Sequence, residues 1–438
     1  MKILIIDQDH CGLATAMRAQ DLGHEVALWM PKEKGTARPS PIGQGLVPRV
    51  ANWEPAIHKA DLIILTENSK YREDLEVYFR KGYPIFGCNR RAAELELDRE
   101  IGQGALEACG IPILKFETFN NYDKAIAYVE EKGKPFVSKP WGGNADKSLS
   151  YVPKRADDLI ARMENWKRMG LKGEFMLQEM VDGFEMAVGA WFGPGGWSEW
   201  VNENWEEKRL LVGGLGPNTG EMGTVMRYTK NSKLFEEVLR PCETLLHRLN
   251  YVGYVDMNCI VDCNGKPRPL EFTMRFGWPH WNLCMSLHQG DQFKWMAGML
   301  EGRDTLRVST DTCVGVVMAM GHFPWDDDPI EVEGWAIHGM TPSNRDHIHL
   351  TGAMMAKAPI QRGGKIIREN VVCSAGNYVA VVTGHGKTVK RAQQAAYETV
   401  SDISWAPHRT YRLDIGDRLE EDLLCLQEFG YAKGMKFK

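Results

Sequence analysis

The stretch YVDMNCIVDCNGKPRPLEFTMRFG, residues 254–277, carries the pattern that decides the fold. Its two apolar runs predict strands, and the dipeptide Asn264-Gly265 between them predicts a tight hairpin turn. Such a hairpin can place Asp256 of the first strand and Glu271 of the second side by side on one face. Because Mg2+ bridges phosphate oxygens to one or two carboxylates, the pattern predicts a metal site beside a nucleotide. An ion pair between Glu271 and Arg275 is the structural alternative.

A second pattern, KPWGGNADK at residues 139–147, follows a predicted strand. Gly142 and Gly143 allow main-chain N–H groups to approach phosphate oxygens, and Lys139 and Lys147 can neutralise their charge. The pattern therefore predicts a triphosphate-binding turn. The alternative is a solvated turn with two surface lysines.

A third pattern, QEMVDGFE at residues 178–185, lies at the end of another predicted strand. The backbone at Met180 and Val181 can bind a purine, while Glu179 and Glu185 can reach its amino group or the ribose hydroxyls. Without the neighbouring patterns, it indicates only a strand followed by a turn.

Composition excludes several classes of protein. The chain has 438 residues, which is longer than one hydrophobic core usually supports, so we expect two to four subdomains. A formal net charge of -5 gives no global attraction to nucleic acid or to an anionic membrane. No apolar run reaches membrane-spanning length, and the strand-like start MKILIID does not resemble a signal peptide. We therefore expect a cytoplasmic protein with neither nucleic-acid nor membrane partners.

The first part of the chain alternates strands and helices. Short apolar runs at 2–6, 25–29 and 61–65 predict parallel strands, with polar turns at their carboxyl ends, where ligands bind in such sheets. A helical stretch from Arg90 to Cys109 ends in Gly110-Ile111-Pro112, which predicts the end of the first domain. Another helix is predicted over Ser232–Leu249 and a strand over Leu149–Val152.

Several motifs resemble those of one enzyme family, the glycinamide ribonucleotide synthetases or phosphoribosylamine–glycine ligases. EKRLLVGGLGPNTGEMG at 207–223 resembles the signature in which a K-R pair precedes GPNTGGMG, and LEFTMRFG at 270–277 resembles LEFNxRFGDPE. Residues 92–112 are similar to the segment that leads into the ATP-grasp module of the family. AQQAAYETVSDISW at 392–405 and YRLDIG at 411–416 are similar to its closing motifs. The matches recur in the family's order over nearly the whole chain.

The resemblance implies an α/β fold with three parts. These are a Rossmann-like N-terminal domain at 1–113, a two-lobed ATP-grasp module at 114–330, and a small C-terminal α+β domain at 331–438. The small lobe of the module is expected at about 114–184 and the large lobe at about 185–330.

The resemblance also implies a reaction, in which ATP phosphorylates a carboxylate and an amine attacks the acyl phosphate to form an amide. ATP and Mg2+ are the implied cofactors, with Mn2+ as a substitute, and an amino acid and an amine are the implied substrates. The implied ligands are Lys139 and Lys147 for phosphates, Glu179, Val181 and Glu185 for adenosine, and Glu271, Asp256 and Thr273 for the metal. The implied substrate residues are Lys208, Arg209, Gly216, Pro217, Asn218, Thr219, Arg275, Trp278 and His280. Lys139, Asn218 and Arg275 have implied catalytic roles.

Departures from the family pattern fall around the reacting groups. Thr273 replaces the asparagine of LEFN, Trp278 and His280 replace the two acidic residues of RFGDPE, and Glu221 replaces a glycine. Gln103 stands where the family has a phosphate-binding lysine, with Arg99 one helical turn earlier as a substitute. A changed set of polar partners alters specificity, so another amino acid or acceptor is the main alternative to glycine plus phosphoribosylamine.

Two further questions stay open at this point. A protein that binds nucleotide without turnover is the alternative from another class, although Lys139, Glu271 and Arg275 favour a ligase. The resemblance places the protein in purine biosynthesis, and a monomer or small homo-oligomer is expected.

Overall fold

The computed structural model describes residues 1–33, 38–141, 149–325 and 329–438. Its first part is a parallel sheet of order β2-β1-β3-β4 flanked by helices. The elements are β1 (Lys2–Ile6), α1 (Leu13–Asp21), β2 (Glu25–Trp29), α2 (Glu54–Ile57), β3 (Leu62–Leu65), α3 (Arg72–Arg80), β4 (Ile85–Phe86), α4 (Arg90–Leu97) and α5 (Arg99–Ala108).

The polar turns after β1 and β3 meet at the carboxyl edge of this sheet. The Thr66 hydroxyl donates to Asp7 at 3.0 Å, and the Lys70 ammonium lies 2.7 Å from an Asp9 oxygen. Adjacent parallel strands end at the same edge, which is why these turns lie together. The predicted strand-helix-strand opening is confirmed.

A small lobe follows, with an antiparallel sheet of order β5-β7-β6 covered by two helices. Its elements are β5 (Phe116–Phe119), α6 (Tyr122–Lys132), β6 (Phe136–Pro140), α7 (Ala156–Arg168) and β7 (Phe175–Glu179). Phe136, Trp166 and Phe175 are among the buried residues of a hydrophobic cluster that belongs to this lobe alone. Its core is therefore separate from that of the larger sheet.

The central feature is an eight-stranded sheet of order β12-β11-β8-β9-β10-β13-β18-β15. Its elements and the helices between them are β8 (Gly183–Gly193), β9 (Gly196–Leu211), β10 (Leu215–Thr229), α8 (Lys233–Val238), α9 (Glu243–Arg248), β11 (Gly253–Asp262), β12 (Pro267–Thr273), α10 (His280–Leu287), α11 (Gln292–Leu300) and β13 (Thr312–Ala319). The hairpin predicted around Asn264-Gly265 is confirmed as β11 and β12.

The last part of the chain extends this sheet. Its elements are α12 (Pro329–Val332), β14 (Glu333–Ala336), β15 (Ile348–Leu350), β16 (Ala353–Arg362), β17 (Lys365–Ala375), β18 (Tyr378–Gly386), α13 (Val389–Asp402) and α14 (Leu419–Glu428). Strand β18 pairs with β13 along its length, so the eight-stranded sheet continues across residue 330. Strands β14, β17 and β16 form a separate antiparallel sheet. The proposed division of the chain at 113 and 330 thus cuts this sheet at its second boundary.

Three local predictions were wrong. The predicted helix 90–109 is two helices, because Asp98 takes an extended conformation and its carboxylate caps the start of α5. The predicted helix 232–249 is interrupted at Pro241, which has no N–H to donate within a helix. The predicted strand 149–152 contributes a single bridge, between Tyr151 and Ser138.

Within the described residues, no helix combines the length and the apolar character needed to cross a membrane.

Candidate functional site

A cleft of about 440 Å³ lies between the small lobe and the eight-stranded sheet. It is lined by many of the residues predicted to bind nucleotide and substrate: Lys139, Glu179, Val181, Glu185, Lys208, Arg209 and Asn218. Leu114 and Val137 on the small-lobe side, with Ile260 and Leu270 of the β11–β12 hairpin, supply apolar lining. The cleft therefore combines an apolar surface suited to a flat base with a group of charged side chains.

Three cations lie around the Glu271 carboxylate at the side of this cleft, and two of them, Lys139 and Lys208, line it. Arg99 Nη2 lies 2.7 Å from Glu271 Oε2. Loss of solvent raises the pKa of Glu271, but the positive charges of Arg99, Lys139 and Lys208 outweigh it and lower this pKa to about 2. Glu271 is therefore ionised, and the cations converge around it.

Lys139 titrates closer to neutral pH than an ordinary lysine. Burial lowers the pKa of Lys139 to about 8, with Arg99 and Lys208 acting in the same direction against the opposing effect of Glu271. A lysine that is desolvated and close to other cations is ready to bind an anion, because an anionic partner would restore its usual protonation.

Lys208 of β9 is held by two carboxylates. Its ammonium lies 3.2 Å from Glu185 Oε1 and 3.0 Å from Glu206 Oε2. The Asn258 amide donates to the same two residues, at 3.0 and 3.2 Å. Burial lowers the pKa of Lys208, but Glu206, Glu185 and Glu271 more than compensate and raise it. Lys208 is therefore a fixed positive charge on the floor of the cleft.

The register of β11 and β12 defines the predicted metal-binding face. Asp256 pairs with Thr273 and Asn258 pairs with Glu271, so all four side chains lie on one face of the hairpin. Glu271 contacts Arg99, whereas the Asp256 carboxylate accepts hydrogen bonds from Asn204 and Tyr254, both at 2.9 Å. Among the described residues, no three His, Cys, Asp or Glu side chains are already arranged around a metal position.

Asn258 lies on the same face, and the sequence did not assign it a role. Its side-chain oxygen is buried and has no hydrogen-bond partner among the described residues, although its nitrogen donates to Glu185 and Glu206. A buried carbonyl oxygen without a partner is costly unless a ligand fills its place. An oxygen of this kind beside an ionised Glu271 suits a hard cation such as Mg2+.

Arg275 joins the large sheet to the N-terminal domain. Its Nε lies 3.0 Å from Glu67 Oε1 and 3.1 Å from Glu96 Oε1. Burial raises the pKa of Glu96, while Arg275 acts to lower it. The guanidinium therefore holds two carboxylates together near the turns that follow β1 and β3.

The predicted acceptor loop lies at the start of β10. The Thr219 hydroxyl donates to the Lys208 carbonyl at 2.9 Å, and Arg209 Nη1 donates to the Gly216 carbonyl at 2.9 Å. These bonds fix the loop containing Pro217 and Asn218 above β9. Asn218 is exposed and lines the cleft.

Trp278 and His280 lie in packed surroundings. His280 is 4% exposed, its ring stacks on Tyr254 with centroids 5.0 Å apart, and its Nε2 lies 3.0 Å from Asn202 Oδ1. Burial lowers the pKa of His280 to about 3. Trp278 is partly buried against the main core. His280 therefore packs against Tyr254 and Asn202 in the interior.

Glu221, the third departure from the family pattern, is also buried. Its pKa is raised well above the usual range by burial and by Glu206. The Thr224 hydroxyl donates to it. Glu221 is therefore a buried carboxyl group close to Glu206 and Lys208 of the cleft.

Two groups of site residues remain: predicted residues that lie outside the described part of the chain, and residues that the sequence did not identify. Lys147 lies outside the described residues, as do Gly142 and Gly143. The sequence did not identify Glu206, Asn258, Arg412 and Arg418. Of these residues, Glu206, Arg412 and Arg418 line the cleft. Arg412 pairs with Asp414 at 2.8 Å and lies in the closing motif YRLDIG, which was a signal that could have identified it.

The family model and the relatives that match this chain belong to the same enzyme family. The family model for the phosphoribosylglycinamide synthetase ATP-grasp (A) domain matches residues 99–281. The phosphoribosylamine–glycine ligase of Ralstonia nicotianae is 30% identical over 368 residues, covering 78% of this chain and 81% of the relative. That of Escherichia coli O6:H1 is 27% identical over 430 residues, covering 92% and 96%.

A solved structure extends the likeness to the fold. The crystal structure of the Thermotoga maritima phosphoribosylamine–glycine ligase superposes with a TM-score of 0.69 at 19% identity, over 95% of this chain and 100% of the other. Together with the domain match, this confirms the predicted α/β fold with an ATP-grasp module.

Proposed function

The chain belongs to the phosphoribosylamine–glycine ligase family, and we propose that it joins an amino acid to an amine through an acyl phosphate, at the expense of ATP. The observation that carries the proposal is the convergence of Arg99, Lys139 and Lys208 on Glu271 beside the partly apolar cleft, whose lining includes both lysines. Phosphoryl transfer needs this arrangement, because it depends on positioning and on neutralising charge.

The chemistry has two steps. A carboxylate oxygen of the amino acid attacks the γ-phosphorus, and the bond to ADP breaks. The amine then attacks the acyl carbon, phosphate leaves, and the amine loses a proton. Lys139, with Lys147 beyond the described residues, binds the phosphates, and Glu179, Val181 and Glu185 bind adenosine. These roles follow from the family pattern and are supported by the shared cleft.

The metal site is proposed on the β11–β12 face. Glu271 and the unpartnered oxygen of Asn258 would hold Mg2+, with Asp256 and Thr273 on the same face. Mn2+ takes the same oxygen ligands and is expected to replace it. When bound, the cation would neutralise charge on the transferring phosphoryl group.

The substrate side is proposed around the start of β10. Lys208, Arg209, Gly216, Pro217, Asn218 and Thr219 would shape the acceptor site. Arg275 would bind the amino-acid carboxylate or the acyl phosphate, since a planar guanidinium binds either through two parallel hydrogen bonds. In that role it would exchange part of its contact with Glu67 and Glu96 for the substrate.

The relatives are named for phosphoribosylamine and glycine, and this pair is the first substrate pair to test. A diverged amino acid or acceptor is the second candidate. The buried Glu221 favours it, because this side chain adds volume and a hydrogen-bonding group close to Glu206 and Lys208 of the cleft.

A release assay for ADP tests the function. Purified protein is incubated with ATP and Mg2+, with glycine and other amino acids in turn, each with phosphoribosylamine and other amines. Release of ADP that requires both substrates supports the ligase, and the product is identified by mass spectrometry. Binding of ATP without any substrate-dependent release would identify a nucleotide-binding protein that does not turn over.

A further inference from the structure

A second cavity, of about 670 Å³, lies between α1, α10, β15 and β18. Met17, Met285 and Met340 form its apolar lining, and the remaining lining includes several imidazoles and two guanidiniums. It shares no lining residue with the cleft described above.

Three imidazoles lie at the sheet edge that borders this cavity. His349 of β15 pairs with Val381 of β18. His347 lies two residues before His349, and His385 lies four residues after Val381. Because side chains alternate between the faces of a strand, His349 and His385 point to the same side, whereas His347 ends the 3-10 turn that precedes β15. The rings of His347 and His385 are 5.5 Å apart, and His349 Nε2 lies 3.1 Å from the Ser286 hydroxyl.

Several polar groups of the cavity lack partners. Arg18 is half-buried in the cavity wall and its guanidinium forms no hydrogen bond or ion pair with any described residue, whereas the neighbouring Arg345 is paired with Asp21 at 3.0 Å. Nδ1 of His347 and Nδ1 of His288 are buried and also have no partner within the described residues. His288 is only 6% exposed. Polar groups removed from water normally have partners, so a ligand is expected here.

The available groups favour an anion over a metal ion. The described residues contain no set of three His, Cys, Asp or Glu side chains placed to bind a metal. A guanidinium, imidazoles and hydroxyls instead bind phosphate or carboxylate oxygens well. The acidic groups near the cavity are either paired or exposed. Arg345 pairs with the Asp21 carboxylate, and the Asp311 carboxylate contacts His385 and Lys387. Asp346 is exposed.

We propose that this cavity binds a small organic anion, with its phosphate or carboxylate held by Arg18, His347, His349 and His385. The volume and the methionine lining suit a molecule with a flat or apolar part, since methionine side chains adapt to varied shapes. The inference does not depend on the proposed ligase reaction, because it uses other residues.

The test uses the full chain with its cleft saturated by Mg2+ and a nonhydrolysable ATP analogue. Histidine imidazole signals are followed by NMR during titration with inorganic phosphate, uridine 5′-monophosphate and acetate, which separate phosphate, phosphate plus base, and carboxylate. Single substitutions of His347, His349 and His385 by Gln assign the signals. We expect these three signals to move together, most strongly with the nucleotide.

Substitution Arg18→Gln should weaken binding by about tenfold or more, the loss expected for a charged hydrogen bond. The exposed Arg168→Gln on α7 is the matched control and should bind as the wild type does. Unmoved imidazole signals with all three probes, or equal binding by Arg18→Gln, would overturn the proposal. So would a change in sedimentation mass on Arg18→Gln without anion binding, since Arg18 would then belong to an interface between two copies.

Discussion

Asn258 lies directly opposite Glu271 in the β11–β12 ladder, and its side-chain oxygen faces no partner among the described residues. The family pattern places an asparagine at the position of Thr273, which is a shorter oxygen ligand here. Asn258 therefore offers, on the same face, the amide oxygen that Thr273 lacks. This relationship yields the first prediction.

Substitution Asn258→Ala should raise the Mg2+ concentration needed for half-maximal activity by about tenfold or more, as expected for loss of an oxygen ligand. Asn258→Asp keeps an oxygen and should preserve Mg2+ affinity better. The measurement is ADP release as a function of Mg2+. Asn264→Ala, in the exposed turn of the same hairpin, is the control. An unchanged Mg2+ requirement in Asn258→Ala would exclude the residue from the metal site.

Substitution Lys139→Ala should lower kcat by about a hundredfold or more, because one fixed charge near the transferred phosphoryl group is lost. The fold should stay intact, since the Lys139 ammonium forms no hydrogen bond with any residue that the structure describes. Steady-state kinetics and thermal unfolding measure the two effects. Lys124→Ala on the exposed face of α6 should leave both unchanged, and equal kcat values for both variants would remove the assignment.

The pKa of about 8 for Lys139 predicts a pH effect on nucleotide binding. As the pH rises through 8, the free enzyme loses the ammonium that binds phosphate, so KM for ATP should increase. Lys139→Arg keeps its charge throughout this range and should abolish the increase. KM values measured from pH 6.5 to about pH 9.5 test this. A parallel rise in the arginine variant would assign the titration to another group.

Substitution Arg275→Ala should destabilise the protein by about 2 kcal/mol, because it leaves Glu67 and Glu96 side by side without a cation. Adding Glu96→Gln should recover part of the loss, since only one charge then remains. Urea unfolding measures both values. If the double variant is no more stable than Arg275→Ala, the charge repulsion is not the cause.

The pKa of Asp256 predicts that the stability of the metal-free protein depends on pH. Burial, assisted by Glu206, raises the pKa of Asp256 to about 7, while Asn204 and Tyr254 oppose this shift. Its folded pKa lies above its unfolded pKa, so its contribution is full below about pH 4 and is lost as the pH rises to about 7. The loss is at most about 1.4 kcal/mol per pH unit.

The variant Asp256→Asn lacks this titration and should gain stability relative to the wild type between pH 5 and about pH 8. Urea unfolding in the presence of EDTA measures the difference. The exposed Asp182→Asn should follow the wild type at both values. A constant difference between Asp256→Asn and the wild type would show that Asp256 does not titrate in this range.

The sequence predicted the parts of the site that depend on local pattern. The turn at Asn264-Gly265 predicted the hairpin, but Asp256 and Glu271 share a face only because the register shifts between the pairs Asn258–Glu271 and Cys259–Pro269. Glu206 was harder to place, because its contact with Asn258 depends on β11 lying beside β8 in the sheet. That neighbourhood is set by pairing between strands far apart in sequence, and no short motif encodes it.

His280 is a residue for which the local sequence pattern was misleading. Its position after Arg275 suggested contact with substrate, but α10 begins at His280 and directs the ring toward Tyr254 and Asn202. Side-chain direction at a helix start depends on the packing of that helix, here through Trp281 Nε1, which donates to Thr15 of α1 at 2.9 Å. Neither contact can be inferred from residues 275–280 alone.

The pairing of β13 with β18 limits how the chain can be shortened. Every residue of β13 is buried, and β18 covers the side of that strand opposite β10. We expect a truncation after residue 330 to expose a flat apolar strand with unsatisfied amide groups, which favours aggregation. The shortest soluble fragment carrying the whole cleft should therefore retain the chain through Arg418, because Arg412 and Arg418 also line the cleft.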